Sequence, residues 1–385
     1  MQINSPPQIA FYAPLKSPLH STPSGDRRIA QLFFDALLMA GYEVQLASQL
    51  RSFDKRGDTP RQQRLVRIGQ CQAQRIMRRW KRQNFAPVAW LSYHLYYKAP
   101  DLIGPIICKA LNIPYLIAEA SWAEKRAKGH WELFHQQVDS ALQLAAKVVC
   151  INPIDKIALT HYYRSRAESP IDELKAFIDT HINQPRLSRQ QIADTYSLDP
   201  AQPWLITVAM MRSGDKFASY QLLSQVIHKL KTTCQLLIIG DGETRPQVQG
   251  LFKGLPEVIF GGAIANSQVL QLLEHFEILV WPAINEALGM VFLEAQLAKV
   301  AIVAGDEGGV SSIVDANNSG ILTIATDTQA MSAAVDSLLQ SPESLSAMQQ
   351  AAQHKVISQH SLQKTAVKLQ TIIQHAVLKH THNEK

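Results

Sequence analysis

Two glutamates eight residues apart, Glu286 and Glu294, have the spacing that most strongly indicates chemistry in this sequence. They lie on either side of a predicted loop-to-helix junction that follows the apolar run 276–283. In parallel α/β sheets such junctions hold anionic ligands, because backbone N–H groups and the positive helix end face the ligand. A carboxylate beside a phosphate is unfavourable unless it accepts hydrogen bonds from hydroxyl groups. The pair therefore predicts a ligand with both phosphates and hydroxyls, as in a sugar nucleotide.

Two basic residues, Arg212 and Lys216, follow an earlier strand-like run at 205–211. Ligands of open α/β sheets bind at the carboxyl ends of strands, so both residues fall at a predicted binding edge. An arginine fork beside a lysine point charge suits a diphosphate and could neutralise a leaving nucleoside diphosphate without a metal ion. No Asp-x-Asp motif follows a predicted strand, and we expect neither a metal site nor a cofactor. The alternative interpretation is two exposed basic residues at a helix start.

Strands and helices alternate along most of the chain, which predicts an α/β protein with two parallel, doubly wound domains. The first domain is predicted at 1–182 and the second at 204–358, joined by a polar linker at 183–203. A final helix, 359–385, is amphipathic and could pack back on the first domain. The economical arrangement is two Rossmann-like domains that face each other across a cleft.

Two residues of the first domain are candidates for the same cleft. Gly25 opens a helix after the first strand, where it permits close backbone approach to an anion. His94 ends a predicted strand, a position more typical of a structural histidine. If it faces Glu286 across a cleft, it becomes a candidate contact to the transferred group or to the acceptor.

Bulk composition excludes several classes of protein. The 385 residues are 46% hydrophobic and 18% charged, which is typical of a globular chain long enough for two domains. The four cysteines are far apart, so neither a disulfide framework nor a zinc site is indicated. The N-terminus lacks the basic and apolar regions of a signal peptide, and no apolar run is long enough to span a bilayer. We expect a cytoplasmic protein.

The net charge of +6 is concentrated in one stretch. Residues 51–82 contain eleven Lys or Arg against two Asp, and Ile76 and Trp80 add a partial apolar stripe. One interpretation is a solvated helix with one buried face. The other is an interfacial helix that contacts an anionic membrane surface, on the inner face of the membrane. No nucleic-acid-binding fold accompanies the basic residues, so nucleic acid is not an expected partner.

These motifs together resemble the retaining glycosyltransferases of GT-B fold, specifically glycosyltransferase family 4. The resemblance covers nearly the whole chain and is strongest from Trp204 to Gly320. It is carried by the runs Val-Ala-Met-Met-Arg-Ser-Gly-Asp-Lys, Ile-Ile-Gly-Asp-Gly, Trp-Pro-Ala-Ile-Asn-Glu-Ala-Leu-Gly-Met-Val-Phe-Leu-Glu-Ala and Val-Ala-Gly-Asp-Glu-Gly-Gly-Val, in that order. The first domain matches more loosely, through Pro-Ser-Gly-Asp-Arg, Tyr-His-Leu-Tyr and Phe-Ile-Asp.

The resemblance implies a role for each motif of the second domain. Arg212 and Lys216 would stabilise the donor diphosphate. Glu286 would hold the donor sugar hydroxyls, and Glu294 would accept hydrogen bonds from the ribose. The other donor-binding residues that it implies are Asp241, Gly242, Leu288, Gly289, Met290 and Val291.

In the first domain, the resemblance implies that His94 orients the sugar or acceptor and that Gly25 approaches the donor phosphates. The implied reaction moves a glycosyl group from a nucleoside diphosphate sugar to an acceptor hydroxyl, with retention at the anomeric carbon. The acceptor would be a glycan or a lipid-linked precursor in cell-surface polysaccharide or glycolipid biosynthesis.

Three alternatives of other classes stay open at this point. A catalytically silent protein would bind a nucleotide sugar without turnover. An epimerase on the same scaffold would need no acceptor. A membrane-surface scaffold that uses the basic stretch would bind liposomes but no nucleotide.

Overall fold

A computed structural model of the protein describes residues 6–22, 24–181 and 187–382. They form two compact units, the first from 1–175 and 362–385 and the second from 176–361. Four features of the sequence analysis lie wholly or partly outside the described residues: the signal-peptide region at 1–5, Pro23 in the loop before Gly25, the domain boundary after residue 182, and the last three residues of the final helix.

Unit 1 is built on a parallel sheet of six strands in the order β2-β1-β3-β4-β5-β6. Helices connect successive strands, as parallel pairing requires. The strands are β1 (Gln8–Tyr12), β2 (Glu43–Ser48), β3 (Ala89–Leu95), β4 (Tyr115–Ala120), β5 (Lys147–Cys150) and β6 (Ile171–Glu173). The helices between them are α1 (Gly25–Met39), α2 (Thr59–Gln83), α3 (Gly104–Leu111), α4 (Glu132–Leu144) and α5 (Pro153–Tyr162).

Unit 2 repeats this architecture with the strand order β12-β11-β10-β7-β8-β9. Its strands are β7 (Trp204–Val208), β8 (Gln235–Ile239), β9 (Val258–Gly262), β10 (Ile278–Trp281), β11 (Ala301–Gly305) and β12 (Gly320–Thr323). Its helices are α6 (Arg189–Tyr196), α7 (Asp215–Lys229), α8 (Arg245–Leu251), α9 (Asn266–Leu273), α10 (Met290–Leu297), α11 (Thr328–Gln340) and α12 (Pro342–Gln359). Helix α13 (Leu362–His382) is the last helix of the described residues and packs on α1 in unit 1.

Each sheet contains a point at which the strand order reverses. The chain leaves β1 toward β2 on one side and reaches β3 on the other. In unit 2 it proceeds from β7 to β8 and β9, then returns to place β10 beside β7. Open α/β sheets bind ligands at the carboxyl ends of the two strands that flank such a reversal. The α/β, doubly wound prediction is confirmed, and the two reversals mark where sites are expected.

The polar stretch predicted as linker contains a helix. Helix α6 begins with a capping box, because the Ser188 side chain accepts a hydrogen bond from the Gln191 backbone while the Gln191 side chain accepts one from the Ser188 backbone. Its side chains Ile192 and Ala193 are buried, so the helix belongs to the second unit rather than to a solvated tether. The helical period of apolar residues does not reveal α6, because only two of its eight residues are buried and they form no apolar stripe.

The apolar stripe of the basic stretch does not face solvent. Ile76 and Trp80 in α2 are each 2% exposed, and the Trp80 ring packs against Phe85 and Trp90 in the core of unit 1. The interfacial-helix interpretation is therefore wrong for these two side chains, and α2 is a helix with one buried face. Among the described residues, no helix is both long and apolar enough to cross a bilayer.

Candidate functional site

The strand reversal of unit 2 brings together Lys216 and Glu286. Lys216 is the second residue of α7, which follows β7, and Glu286 lies in the loop that follows β10. Because β7 and β10 are paired in parallel, both loops leave the same edge of the sheet. The ammonium of Lys216 forms an ion pair with Oε2 of Glu286. The two side chains are 17% and 16% exposed, so the pair is mostly shielded from water yet reachable.

Trp281, the last residue of β10, contacts both members of this ion pair. Its ring centroid lies 5.5 Å from Nζ of Lys216, within the range of a cation–π interaction. Its indole Nε1 donates a long hydrogen bond of 3.4 Å to Oε2 of Glu286. The indole itself is buried against Tyr220. A rigid aromatic residue thus fixes both charges in one place.

The loop that carries Glu286 adopts an unusual backbone. Ala283, Asn285 and Gly289 all have φ between 50° and 67°, a region that side-chain-bearing residues rarely populate. The loop is held from one side by Ser219 of α7, whose hydroxyl accepts a hydrogen bond from the Ile284 backbone at 3.0 Å. Strained backbone of this kind is typical of sites where position matters more than local stability.

The loop after β11 packs directly against the Glu286 loop. A Cβ atom on Gly308 would lie 1.9 Å from the carbonyl oxygen of Glu286, and one on Gly309 would lie 2.2 Å from that of Ala287. The Gly309 backbone donates to the Glu286 carbonyl at 3.0 Å. Glu307 also accepts a 2.7 Å hydrogen bond from the loop backbone. The two glycines therefore have a packing reason that the sequence did not reveal.

Helix α10 begins immediately after this loop, with Gly289 as its N-terminal cap. Met290 and Val291 are its first residues, where backbone N–H groups have no intrahelical partner and can face an anion. Leu288 is buried at 8% exposure and packs the loop down. Glu294 lies in the second turn and is half-buried. The structure thus places both glutamates of the motif at one helix start, as the spacing predicts.

The remaining predicted residues of unit 2 flank this centre. Gly240 and Gly242 lie so close to the backbone after β7 that a Cβ atom on either would fall 1.9 Å or 2.1 Å from a carbonyl oxygen. The Asp241 carboxylate accepts hydrogen bonds from neighbouring residues, from the Gly242 backbone at 2.7 Å and from the Arg245 side chain at 3.1 Å. Arg212 is exposed, and its guanidinium makes no hydrogen bond or ion pair with the described residues.

The strand reversal of unit 1 carries a second polar group. Nδ1 of His94, at the end of β3, lies 2.8 Å from Oδ1 of Asp26 in the first turn of α1. The φ of His94 is 58°, an uncommon value for histidine. Burial lowers the pKa of His94, but the hydrogen bond and charge of Asp26 outweigh it and raise the pKa above 6.5. The pair therefore favours an imidazolium with a fixed ring orientation.

Two further carboxyl groups lie near this histidine. Glu119 ends β4 with a φ of 61° and accepts hydrogen bonds from the backbone of Ile151 and Asn152. Burial raises its pKa from 4.5 to about 7, and the charge of Asp155 adds to the rise. Burial also raises the pKa of Asp155. One histidine and three carboxyl groups (Asp26, Glu119 and Asp155) thus lie at the carboxyl edge of the unit 1 sheet.

Gly25 opens α1, whose cap is the Ser24 side chain bonded to the Arg27 backbone at 3.2 Å. A Cβ atom on Gly25 would meet no protein atom within 4 Å. Nothing within the described protein therefore requires glycine at this position, in contrast to Gly308.

Sequence reasoning did not assign Trp281, Asp26 or Glu119 to a site, and it predicted Gly308-Gly309 only as a turn at the ligand-binding edge. Trp281 and Asp26 lie inside longer motifs that do not indicate their roles, because those roles depend on contacts with residues distant in sequence. Glu119 had a usable signal, since a charged residue that closes an apolar strand marks the binding edge of an α/β sheet.

Comparison with known proteins identifies the class. The family model described as glycosyl transferases group 1 matches residues 206–355. An alpha-maltose-1-phosphate synthase of Mycolicibacterium smegmatis is 32% identical over 273 residues, which cover 65% of this chain and 69% of that protein. The chain belongs to the glycosyl transferases group 1 family.

A further protein is similar in sequence, and a solved structure has the same fold. The alpha-D-kanosaminyltransferase of Streptomyces kanamyceticus is 28% identical over 158 residues, or 40% of this chain, and the match spans less than half (41%) of that relative. The Anabaena protein HepE, solved in complex with UDP, superimposes with a TM-score of 0.70 at 12% identity and covers 96% of this chain and 100% of that one. The predicted GT-B fold is confirmed.

Proposed function

We propose that this protein is a retaining glycosyltransferase that moves a sugar from a nucleoside diphosphate sugar to an acceptor hydroxyl. The observation that carries the proposal is the ion pair of Lys216 and Glu286 at the strand reversal of unit 2. It places one cation and one hydroxyl acceptor beside the N-terminus of α10. These are the groups that a sugar diphosphate needs.

In the proposed reaction, Lys216 and Arg212 stabilise the charge that develops on the departing diphosphate. Such electrostatic stabilisation is usually the largest single contribution to catalysis. Glu286 accepts hydrogen bonds from hydroxyls of the donor sugar, and Glu294 accepts them from the ribose. The backbone N–H groups of Leu288 to Val291 complete the donor site. No step requires a metal ion or another cofactor, and attack from the same face as the leaving group gives retention.

Support for a nucleotide-sugar donor comes from the solved relatives. HepE has been solved with UDP and with UDP-glucose, and its fold matches nearly all of this chain. Support for glycosyl transfer comes from the kanosaminyltransferase and the maltose-1-phosphate synthase. We propose a glycan or a lipid-linked acceptor, used in cell-surface polysaccharide or glycolipid biosynthesis.

The exposed face of α2 suits an anionic membrane surface. The helix contains no acidic residue, and its exposed basic side chains are Arg61, Arg64, Arg67, Arg75, Arg78, Lys81 and Arg82. Because its apolar side is buried, we propose that contact is purely electrostatic, and that raising the salt concentration releases the protein. We expect the protein to cosediment with phosphatidylserine vesicles and to be released in about 0.5 M salt, which screens charges more strongly than physiological salt does. Equal binding to phosphatidylcholine vesicles would contradict this proposal.

The enzymatic proposal is tested by incubating the protein with UDP-, GDP- and ADP-linked sugars and following release of the nucleoside diphosphate. We expect turnover with one donor and loss of turnover in Glu286→Gln, with the exposed Glu343→Gln as a matched control. NMR of the product then gives the anomeric configuration, which should equal that of the donor. Tight binding without release would favour the silent binding protein, and an isomerised donor without acceptor would favour the epimerase.

A further inference from the structure

Three cationic side chains of unit 1 converge on the loop that follows β1. Lys16 lies in this loop, Arg27 in the first turn of α1, and Arg51 after β2. Nε of Arg51 donates to the carbonyl of Leu15 at 3.0 Å, and Nε of Arg27 donates to that of Pro18 at 3.3 Å. The two guanidinium groups are therefore anchored on either side of Lys16.

This anchoring leaves the cations with unused binding capacity. The terminal Nη groups of Arg27 and Arg51 and the ammonium of Lys16 make no hydrogen bond or ion pair with the described residues. The Arg51 guanidinium also lies 4.6 Å from the Phe53 ring centroid, which fixes its plane. Guanidinium forks held in this way match the oxygens of a phosphate group.

Among the described residues, one carboxylate acts on Lys16 against two guanidinium groups. Asp26 is the carboxylate of the described residues that acts on Lys16, and it is already hydrogen-bonded to His94. Burial lowers the pKa of Lys16, and the charges of Arg51 and Arg27 lower it further. A group of cations that repel one another at a strand edge is relieved by a bound anion.

We infer that Lys16, Arg27 and Arg51 bind a phosphate group carried by the acceptor. The inference rests on the proposed function, in which unit 2 holds the donor diphosphate through Lys216 and Arg212. The cluster lies at the same sheet edge as the His94–Asp26 pair, since β1 and β3 are paired in parallel and both groups follow their carboxyl ends. Cations for a phosphate beside groups that bind hydroxyls define the acceptor class as a hydroxyl compound with a phosphate mono- or diester.

The experiment measures two dissociation constants on the full-length protein. Thermal unfolding first identifies the nucleoside diphosphate that stabilises the fold most, and inorganic phosphate is then titrated with that nucleotide at saturation. Lys16→Gln and Arg51→Gln should each weaken phosphate binding about tenfold, the loss expected for one charged hydrogen-bonding group. The nucleotide dissociation constant should be unchanged. Arg28→Gln is the matched control, because it removes one charge at the position next to Arg27 while its side chain lines a cavity with Leu19 and Phe34, which none of the three proposed cations lines.

Lys216→Gln should give the opposite result to Lys16→Gln: it should weaken nucleotide binding and leave phosphate binding unchanged. If Lys16→Gln weakens nucleotide binding instead, the cluster serves the donor and the inference is overturned. Equal phosphate binding in Lys16→Gln, Arg51→Gln and Arg28→Gln would also overturn it, because it would mean adventitious anion binding only. If no nucleotide binds but phosphate binding still depends on Lys16, the proposed function fails while the anion site stands.

Discussion

Lys216 and Glu286 are separated by 70 residues in sequence and form a direct ion pair. They meet because β7 and β10, which precede them, pair in parallel at the strand reversal of unit 2. Both side chains are more than four-fifths shielded from solvent. A cation and a carboxylate placed in this way can exchange their mutual contact for the phosphate and the hydroxyls of a sugar nucleotide.

Removing the charge of Lys216 should reduce turnover strongly with the fold intact. Lys216→Gln keeps a hydrogen-bond donor near Glu286 but cannot neutralise a leaving diphosphate, so we expect a loss of about 10²–10³ in kcat. Steady-state kinetics with the preferred donor measures it, with the exposed Lys253→Gln as control. Near-normal turnover in Lys216→Gln would remove this lysine from the mechanism.

Gly308→Ala should distort the donor site from a distance. The added Cβ would lie 1.9 Å from the Glu286 carbonyl, and the φ of +63° is itself strained for alanine. We expect unfolding to become easier by about 2 kcal/mol or more, with a matching loss of donor affinity. Chemical denaturation and nucleotide titration report the two effects. Unchanged stability and affinity would mean that the two loops do not pack as described.

Gly25→Ala should separate a ligand requirement from a folding requirement. Since the new Cβ would meet no protein atom within 4 Å, the free energy of unfolding should stay within about 0.5 kcal/mol of the parent. If the donor phosphates approach this backbone, turnover should fall at least about tenfold. A variant with parental stability and parental turnover would rule out close approach of the donor at Gly25.

The sequence was sufficient for much of the fold and for one half of the site. The apolar runs predicted most strands of both sheets, and the spacing of Glu286 and Glu294 predicted the loop-to-helix junction at which α10 begins. Ligand binding at this junction stays a prediction. Contacts between residues distant in sequence, such as that of Asp26 with His94, could not be predicted, because the sequence around each residue does not indicate the other. The sequence left two interpretations open for the stripe that includes Trp80, because an apolar stripe on a basic helix looks the same whether it faces a core or a membrane; the structure shows that it faces the core.

Asp26→Asn should lower the pKa of His94. The raised pKa means that the Asp26–His94 interaction stabilises the fold fully below the ordinary histidine value of 6.5 and is lost as pH rises through the folded-state pKa. Both side chains are partly exposed, so the cost of the variant should be only about 0.5–1 kcal/mol at pH 5.5 and smaller at pH 8.5. NMR titration of the His94 ring measures the pKa directly. An unchanged pKa would show that Asp26 does not set its protonation.

Glu119→Gln should flatten the pH dependence of stability between pH 4.5 and about 7. Because burial raises the pKa of Glu119, the folded state retains a proton that the unfolded state releases, and stability falls as pH rises through this window. Glutamine keeps the acceptor for the Ile151 and Asn152 backbone but does not ionise. The variant should gain roughly 1–3 kcal/mol relative to the parent between pH 4.5 and pH 8. Parallel stability curves for the two proteins would contradict the raised pKa.

Thermal unfolding against a panel of nucleoside diphosphates, with Glu294→Ala as the paired variant, tests the donor site most directly. At about 100 times its dissociation constant, a nucleotide that binds the native state should stabilise it by roughly 2.7 kcal/mol. We predict a shift with one diphosphate that is lost in Glu294→Ala while the variant stays folded. No shift with any nucleotide on the folded parent protein would contradict the proposal that this glycosyltransferase fold binds a nucleotide-sugar donor.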